Sequence, residues 1–148
     1  MPKLIGSTLS LRAATEADMQ FLLELWRNAM SPHFAVSGIS TSEENPLRRL
    51  LMRFECAAIV LLEGQPAGLF KVARDGTDWK LVQILLSPTV QRKGIGAHLI
   101  RKLITEAKTA GASLGLSVLK QNPARELYLR LGFVIIGEET HAYEMRLG

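Results

Sequence analysis

The order of apolar patterns along this chain predicts an α/β fold, a mixed β-sheet flanked by helices in the order β-α-α-β-β-β-α-β-α-β-β. Two observations carry that prediction. Strand-like alternation and short apolar runs trade places with helical spacing along the sequence, and a long amphipathic segment separates the strand at 78–86 from the strand at 113–119. A connection of that length makes those two strands parallel neighbours. Tight-turn signals at Gly64 and at Asp75-Gly76 separate the three strands that precede it. With 148 residues, the chain has the length of one domain with its own core, residues 1–148.

Leu9, Leu11 and Ala13 alternate with polar residues and mark a first, half-buried strand. Thr15-Glu16-Ala17-Asp18 has capping-box character, and Phe21, Leu22, Leu25, Trp26 and Ala29 follow at helical spacing. A loop over 31–45, carrying Pro32 and Gly38, precedes a short helix with Leu47, Leu50, Leu51 and Phe54 on one face. A loop that long inside a compact domain points to function rather than filler. Strands follow at Ala57–Leu62, Ala67–Arg74 and Asp78–Leu86. Ile95, Leu99, Leu103, Ile104 and Ala107 then form the apolar face of a helix that Gly111 ends. A strand at Ser113–Leu119, a helix opened by Pro123, and two strands around Phe133–Ile136 and His141–Leu147 complete the order.

Composition excludes several classes. The longest apolar run, Ala57–Leu62, is too short to span a bilayer, and Met1-Pro2-Lys3 leads into a strand pattern without a signal-peptide region. A cytoplasmic location is expected. Cys56 is the only cysteine, which suits a small, half-buried role, and His33, His98 and His141 are scattered without ligand spacing, so no metal site is expected. The net charge of +4 is uneven: eight Lys/Arg against Glu106 and Glu126 place +6 between Gln91 and Arg130 and leave the remainder at −2. Basic charge gathered in one region suits a phosphate-bearing ligand. No recognition motif or aromatic platform for nucleic acid accompanies it.

The region Leu81 to Leu99 explains that charge. An apolar strand runs into Ser87-Pro88, then a loop holding Arg92, Lys93, Gly94 and Gly96, then a helix start. Glycines allow a sharp turn and close approach to a ligand, and a helix N-terminus offers N–H groups without intrahelical acceptors to an anion. A dinucleotide-binding GxGxxG would need glycine where Leu99 stands, and no Gly-Lys-Ser/Thr of a Walker A loop follows. Gln91-Arg92-Lys93-Gly94-Ile95-Gly96 instead resembles the Gln/Arg-x-x-Gly-x-Gly/Ala signature of the GNAT superfamily of N-acetyltransferases. Asn122 to Phe133, NPARELYLRLGF, is similar to that family's second cofactor segment. Local physics explains part of it, since Asn122 caps well, Pro123 suits a first helical turn and Gly132 suits a helix end. Tyr128 is not explained in this way.

The resemblance implies acetyl transfer from acetyl-coenzyme A (acetyl-CoA) to a primary amine by direct attack, on a GNAT-like mixed sheet whose two parallel strands splay apart around the cofactor's pantetheine arm. It implies cofactor contacts from Leu85, Leu86, Ser87, Gln91, Arg92, Lys93, Gly94, Ile95, Gly96, Ala97, Asn122, Arg125 and Tyr128. Tyr128 is the implied general acid beside the coenzyme sulfur. Alkylamines titrate near about 10 and thiols near about 8.5, so the amine must lose a proton while protonating the thiolate is easy. Many members of that family carry a glutamate on the strand before the loop; here Gln83 stands on that strand and cannot accept a proton at neutral pH. Glu43, Glu44, His33 and Glu144 are the other candidates for a base. Trp26, Met30, His33, Phe34 and Gln83 are the expected acceptor-side residues. The acceptor is a small-molecule or peptide amine, with neither nucleic acid nor membrane as partner, and a homodimer stays open. A non-catalytic acyl-CoA sensor on the same fold is the alternative.

Overall fold

The computed structural model describes residues 9–29, 46–90, 94–120 and 122–148. Seven strands, β1 (Leu9–Ala13), β2 (Ala57–Leu62), β3 (Gln65–Asp75), β4 (Asp78–Leu86), β5 (Ser113–Leu119), β6 (Val134–Glu138) and β7 (Ala142–Leu147), form one sheet in the order β1-β2-β3-β4-β5-β7-β6. The helices are α1 (Met19–Ala29), α2 (Pro46–Leu51), α3 (Ile95–Ala110) and α4 (Ala124–Arg130). The element order is the one predicted. β4 and β5 are parallel, joined by the α3 crossover, and every other neighbouring pair is antiparallel.

Two cores sit on opposite faces of the sheet. Ile95, Leu99, Ile100, Leu103 and Ala107 of α3 and Tyr128 of α4 pack with Phe70, Val72, Leu81 and Leu116. Leu22, Leu25 and Trp26 of α1 and Leu50 of α2 pack with Ile59, Leu69 and Leu85. The helix termini follow local chemistry. Gly94 and Gly111 bracket α3 with φ of 82° and 71°, conformations costly for any side chain with a Cβ. Thr15 donates its backbone N–H to Asp18 Oδ2 at 2.8 Å ahead of α1, and Arg12 of β1 grips the same carboxylate through two hydrogen bonds of 2.8 and 2.9 Å.

Three expectations change. Among the described strands β1 lies at the edge and pairs with β2 alone, and Leu11 is 44% exposed, so the strand is not half-buried along its length. The short helix ends at Leu51 rather than running to Phe54, because Arg53 turns left-handed at φ 54° and a separate 3-10 turn holds Phe54–Cys56. The final strands begin at Val134 and Ala142, one residue later than expected at each start, and β6 continues to Glu138.

A bulge in β4 decides which side chains reach which face. Lys71 pairs with Gln83 but Val72 pairs with Leu81, so Val82 is the extra residue. Before it, Trp79 and Leu81 face the α3 core. After it, Ile84 packs against that core and Leu85 faces the α1/α2 core. Gln83, two residues before Leu85, shares the α1/α2 side with its register partner Lys71.

Candidate active site

The site begins where β4 and β5 part. Their pairing runs from Asp78 with Ser113 to Leu81 with Leu116 and stops. A cleft of about 470 Å³ opens beyond that point, walled by Lys80–Leu85 on one side and Leu116–Leu119 on the other. Met52 after α2, Asn122 and Tyr128, and the β6–β7 turn at Glu139–Ala142 also line it. Strand edges without their ladder partner can pair with an extended ligand through N–H and C=O groups.

Gln83 lines this cleft, is only 9% exposed, and neither its Oε1 nor its Nε2 has a hydrogen-bond partner among the described residues. A buried carboxamide without partners is costly, and the cost is offset when a ligand supplies them. Beneath it, Lys71 is fully buried and donates to the carbonyls of Leu50 at 3.0 Å and Met52 at 2.7 Å. Carbonyls at a helix C-terminus carry partial negative charge, so an ammonium is well matched there. Those bonds tie the end of α2, and with it the Met52 wall, to the sheet.

Tyr128 enters from the other face. Its ring packs edge-on against Phe133, with centroids 5.8 Å apart and an interplanar angle of 62°, and it is 5% exposed. Burial pushes its phenol up to about 12, so the hydroxyl stays protonated at neutral pH. That hydroxyl has no protein partner among the described residues. Asn122 accepts the Ala124 N–H on its Oδ1 at 2.9 Å, which holds the start of α4. Arg125 reaches the Lys120 carbonyl at 3.3 Å and stacks over Tyr143 at 5.3 Å, so it lies beside the cleft rather than in its wall.

At the other end of β4, Leu85 lines the cleft and Ser87 donates its N–H to the Ala67 carbonyl at 2.9 Å before Pro88 opens a 3-10 turn. Pro88 ends the ladder, as its missing N–H requires. Ile95 is buried under α3, whereas Gly96 and Ala97 are half-exposed in the first turn, whose N–H groups have no helical acceptor. Gln91, Arg92 and Lys93 lie outside the described residues, as do Met30, His33, Phe34, Glu43 and Glu44. Trp26 is not brought to the site. It is 1% exposed within the α1/α2 core, where its place on the apolar stripe of α1 puts it.

Sequence reading missed the β6–β7 turn, Met52 and Lys71. Glu139 donates its N–H to the Ala142 carbonyl at 2.8 Å, and Lys120 donates to the His141 carbonyl at 2.9 Å, which pins the turn to the end of β5. Between two strands, Glu139-Thr140-His141 reads as an ordinary hairpin turn; only the placement of β7 beside β5 brings it to the cleft. Among the described residues, no group of His, Cys, Asp or Glu is arranged to hold a metal ion.

This architecture, a sheet parted between two parallel strands with a glycine-initiated helix beside the gap, is that of known acetyltransferases. The chain superimposes on the PaiA N-acetyltransferase from Thermoplasma acidophilum in complex with coenzyme A with a TM-score of 0.73 at 17% identity, covering 94% of this chain and 98% of that one. An acetyltransferase from Thermus thermophilus gives 0.73 at 20% identity over 95% and 96%, and the ribosomal-protein-S18-alanine N-acetyltransferase from Escherichia coli gives 0.65 at 20% over 95% and 93%. No curated protein matches by sequence. Residues 37–147 match the model of the acetyltransferase (GNAT) domain, and the chain belongs to that family. It is an acyltransferase whose cofactor is acetyl-CoA.

Proposed function

We propose that this protein transfers the acetyl group of acetyl-CoA to a primary amine within a ternary complex. The observation that carries the proposal is the cleft itself, which gathers the unpaired edge of β4, the unpartnered Gln83 amide and the protonated Tyr128 hydroxyl around one space. Its residues fit an extended thioester cofactor: the strand edge beyond Leu81 can pair with an amide-bearing arm, and Gly94 to Ala97 present helix N–H groups to a pyrophosphate. Leu86 and Ser87 border that path, with Gln91, Arg92 and Lys93 adding donors and charge at the loop. Asn122 holds α4, and Arg125 stands beside it.

Acetyl-CoA supplies the acetyl group as a thioester. The chain orients the reactants and manages charge. Backbone N–H groups near Leu85 polarise the carbonyl, Gln83 faces the acceptor from the α1/α2 side, and Tyr128 donates its O–H toward the sulfur on which negative charge grows. Met30, His33 and Phe34 are proposed for the acceptor wall from their place in the sequence. We assign this chemistry to one acetyltransferase domain working in the cytoplasm. Among the described residues, no helix is long and apolar enough to cross a membrane.

A thiol-release assay with acetyl-CoA against polyamines, amino acids, aminoglycosides and short peptides tests this reading. Turnover with one class supports it. Cofactor binding without turnover of any amine would favour the non-catalytic sensor, which the uncharged Gln83 on the β4 wall alone recommends.

A further inference from the structure

We propose that the acceptor is an α-amine, the head of an amino acid or of a peptide, and that Gln83 selects it; this rests on the acetyl-transfer reading above. The starting point is the double vacancy on one buried side chain. Gln83 offers an acceptor, Oε1, and a donor, Nε2, neither of which any described protein group satisfies. A lone alkylamine could satisfy the first and would leave the second unpaired. An α-amino group bonded to a carbon bearing a carbonyl satisfies both: its N–H donates to Oε1 while the neighbouring C=O accepts from Nε2.

The protonation requirement points the same way. A carboxamide cannot take up a proton, and the Tyr128 hydroxyl, pushed up to about 12 by burial, is already protonated. Among the described residues, the remaining titratable groups lining the cleft are Lys80 on β4 and Glu139 and His141 on the turn after β6. The carboxamide itself takes no proton, so Gln83 is matched to an amine that is substantially neutral before it arrives. At pH 7.5 about a third of a peptide's N-terminal α-amine is neutral, against about one in a thousand of a lysine-type alkylamine. The carboxylate of a free amino acid keeps its own amine charged, so the protonation requirement favours a chain terminus. In the transfer, the neutral nitrogen's lone pair forms the C–N bond as the C–S bond breaks. The sulfur leaves with the electron pair, and the nitrogen's surplus proton passes through solvent to the thiolate.

Selectivity is the readout. Thiol release is measured at pH 7.5 with full-length protein and three matched acceptors: alanine, an alanyl tetrapeptide with its free N-terminus, and N-acetyl-lysine amide, whose only amine is on the side chain. The expected result is at least a hundredfold higher kcat/KM for one or both α-amines than for the lysine amine, and comparison of alanine with the tetrapeptide tells a free amino acid from a chain terminus. Gln83→Met, which keeps the side chain's length and removes both hydrogen-bonding atoms, should lower kcat/KM for the α-amine by about tenfold to a hundredfold. It should leave acetyl-CoA affinity unchanged. Gln83→Leu is a second variant of the same kind, and thermal melting identifies whichever variant is folded. Equal or faster acetylation of the lysine amine overturns the inference while leaving acetyl transfer standing, as does an α-amine kcat/KM that neither substitution lowers. Turnover of no amine overturns both.

Discussion

Replacing Tyr128 by phenylalanine separates chemistry from packing. The ring contributes the edge-on contact with Phe133, which phenylalanine keeps, and the hydroxyl has no protein partner among the described residues to lose. Stability should therefore change by less than about 1 kcal/mol. The effect on rate follows from the hydroxyl's acidity. With its pKa at about 12, against about 8.5 for a thiol, complete proton transfer to the leaving sulfur would be uphill by about 5 kcal/mol. In the proposed mechanism, Tyr128 would accordingly act by donating a hydrogen bond to the growing negative charge. Such a bond to a charged acceptor is worth about 1.5–3 kcal/mol, which converts to a loss in kcat of about tenfold to 150-fold. The assay is steady-state thiol release with single-turnover measurements to establish that chemistry limits the rate, accompanied by acetyl-CoA binding and thermal melting. An unchanged kcat under those conditions removes Tyr128 from the mechanism, and a large loss of stability would show that its role is structural.

Two further substitutions probe how the scaffold holds the site. A Cβ at Gly68 would meet the Leu85 carbonyl oxygen and lie 2.8 Å from Leu86 Cδ2; Gly68→Ala should cost about 1–3 kcal/mol by overpacking and weaken acetyl-CoA binding by shifting the end of β4, and an unchanged melting temperature would refute the close approach. Asp18 is held down to about 2 from an ordinary 3.8, chiefly by its hydrogen bonds from Arg12 and against the penalty of burial. Because its folded value is depressed, its stabilisation is complete above about pH 4 and is lost as pH falls through 3.8 toward 2, about 1 kcal/mol once solvent screening at the 42%-exposed Arg12 is allowed for. Asp18→Asn should flatten that acid limb in urea titrations from pH 5 to pH 2, and an unaltered slope would contradict the assignment.

The sequence made legible what local chemistry determines. Ile95, Leu99, Leu103 and Ala107 announce α3, Gly111 its end, and the length of that crossover the parallel pairing of β4 and β5. The opening of the cleft was not legible in the same way. It depends on where the β4–β5 ladder stops and on Val82 bulging out of register, and a bulge is a property of two strands read together. Strand alternation alone puts Leu81 and Leu85 on one face, yet the bulge sends them to opposite cores. Lys71 escaped notice because a lysine in a strand is usually exposed, and its burial depends on carbonyls 19 and 21 residues earlier in the chain. Trp26 was ambiguous from spacing, since the same stripe of α1 serves core and pocket alike.

Calorimetric titration of acetyl-CoA into the wild-type protein and into Gly96→Asp tests the central claim most directly. A Cβ at Gly96 would meet only Leu86 Cδ1, at 3.4 Å, and an acidic residue in the first turn of α3 suits the helix dipole, so the variant should fold. Its carboxylate would stand where the pyrophosphate is proposed to bind. The wild type should bind one equivalent, with a Kd below about 1 mM and a rise in melting temperature as the ligand stabilises the native state, both lost in Gly96→Asp. No heat and no thermal shift with the wild type at about 1 mM ligand, or equal affinity in the two proteins, would contradict it.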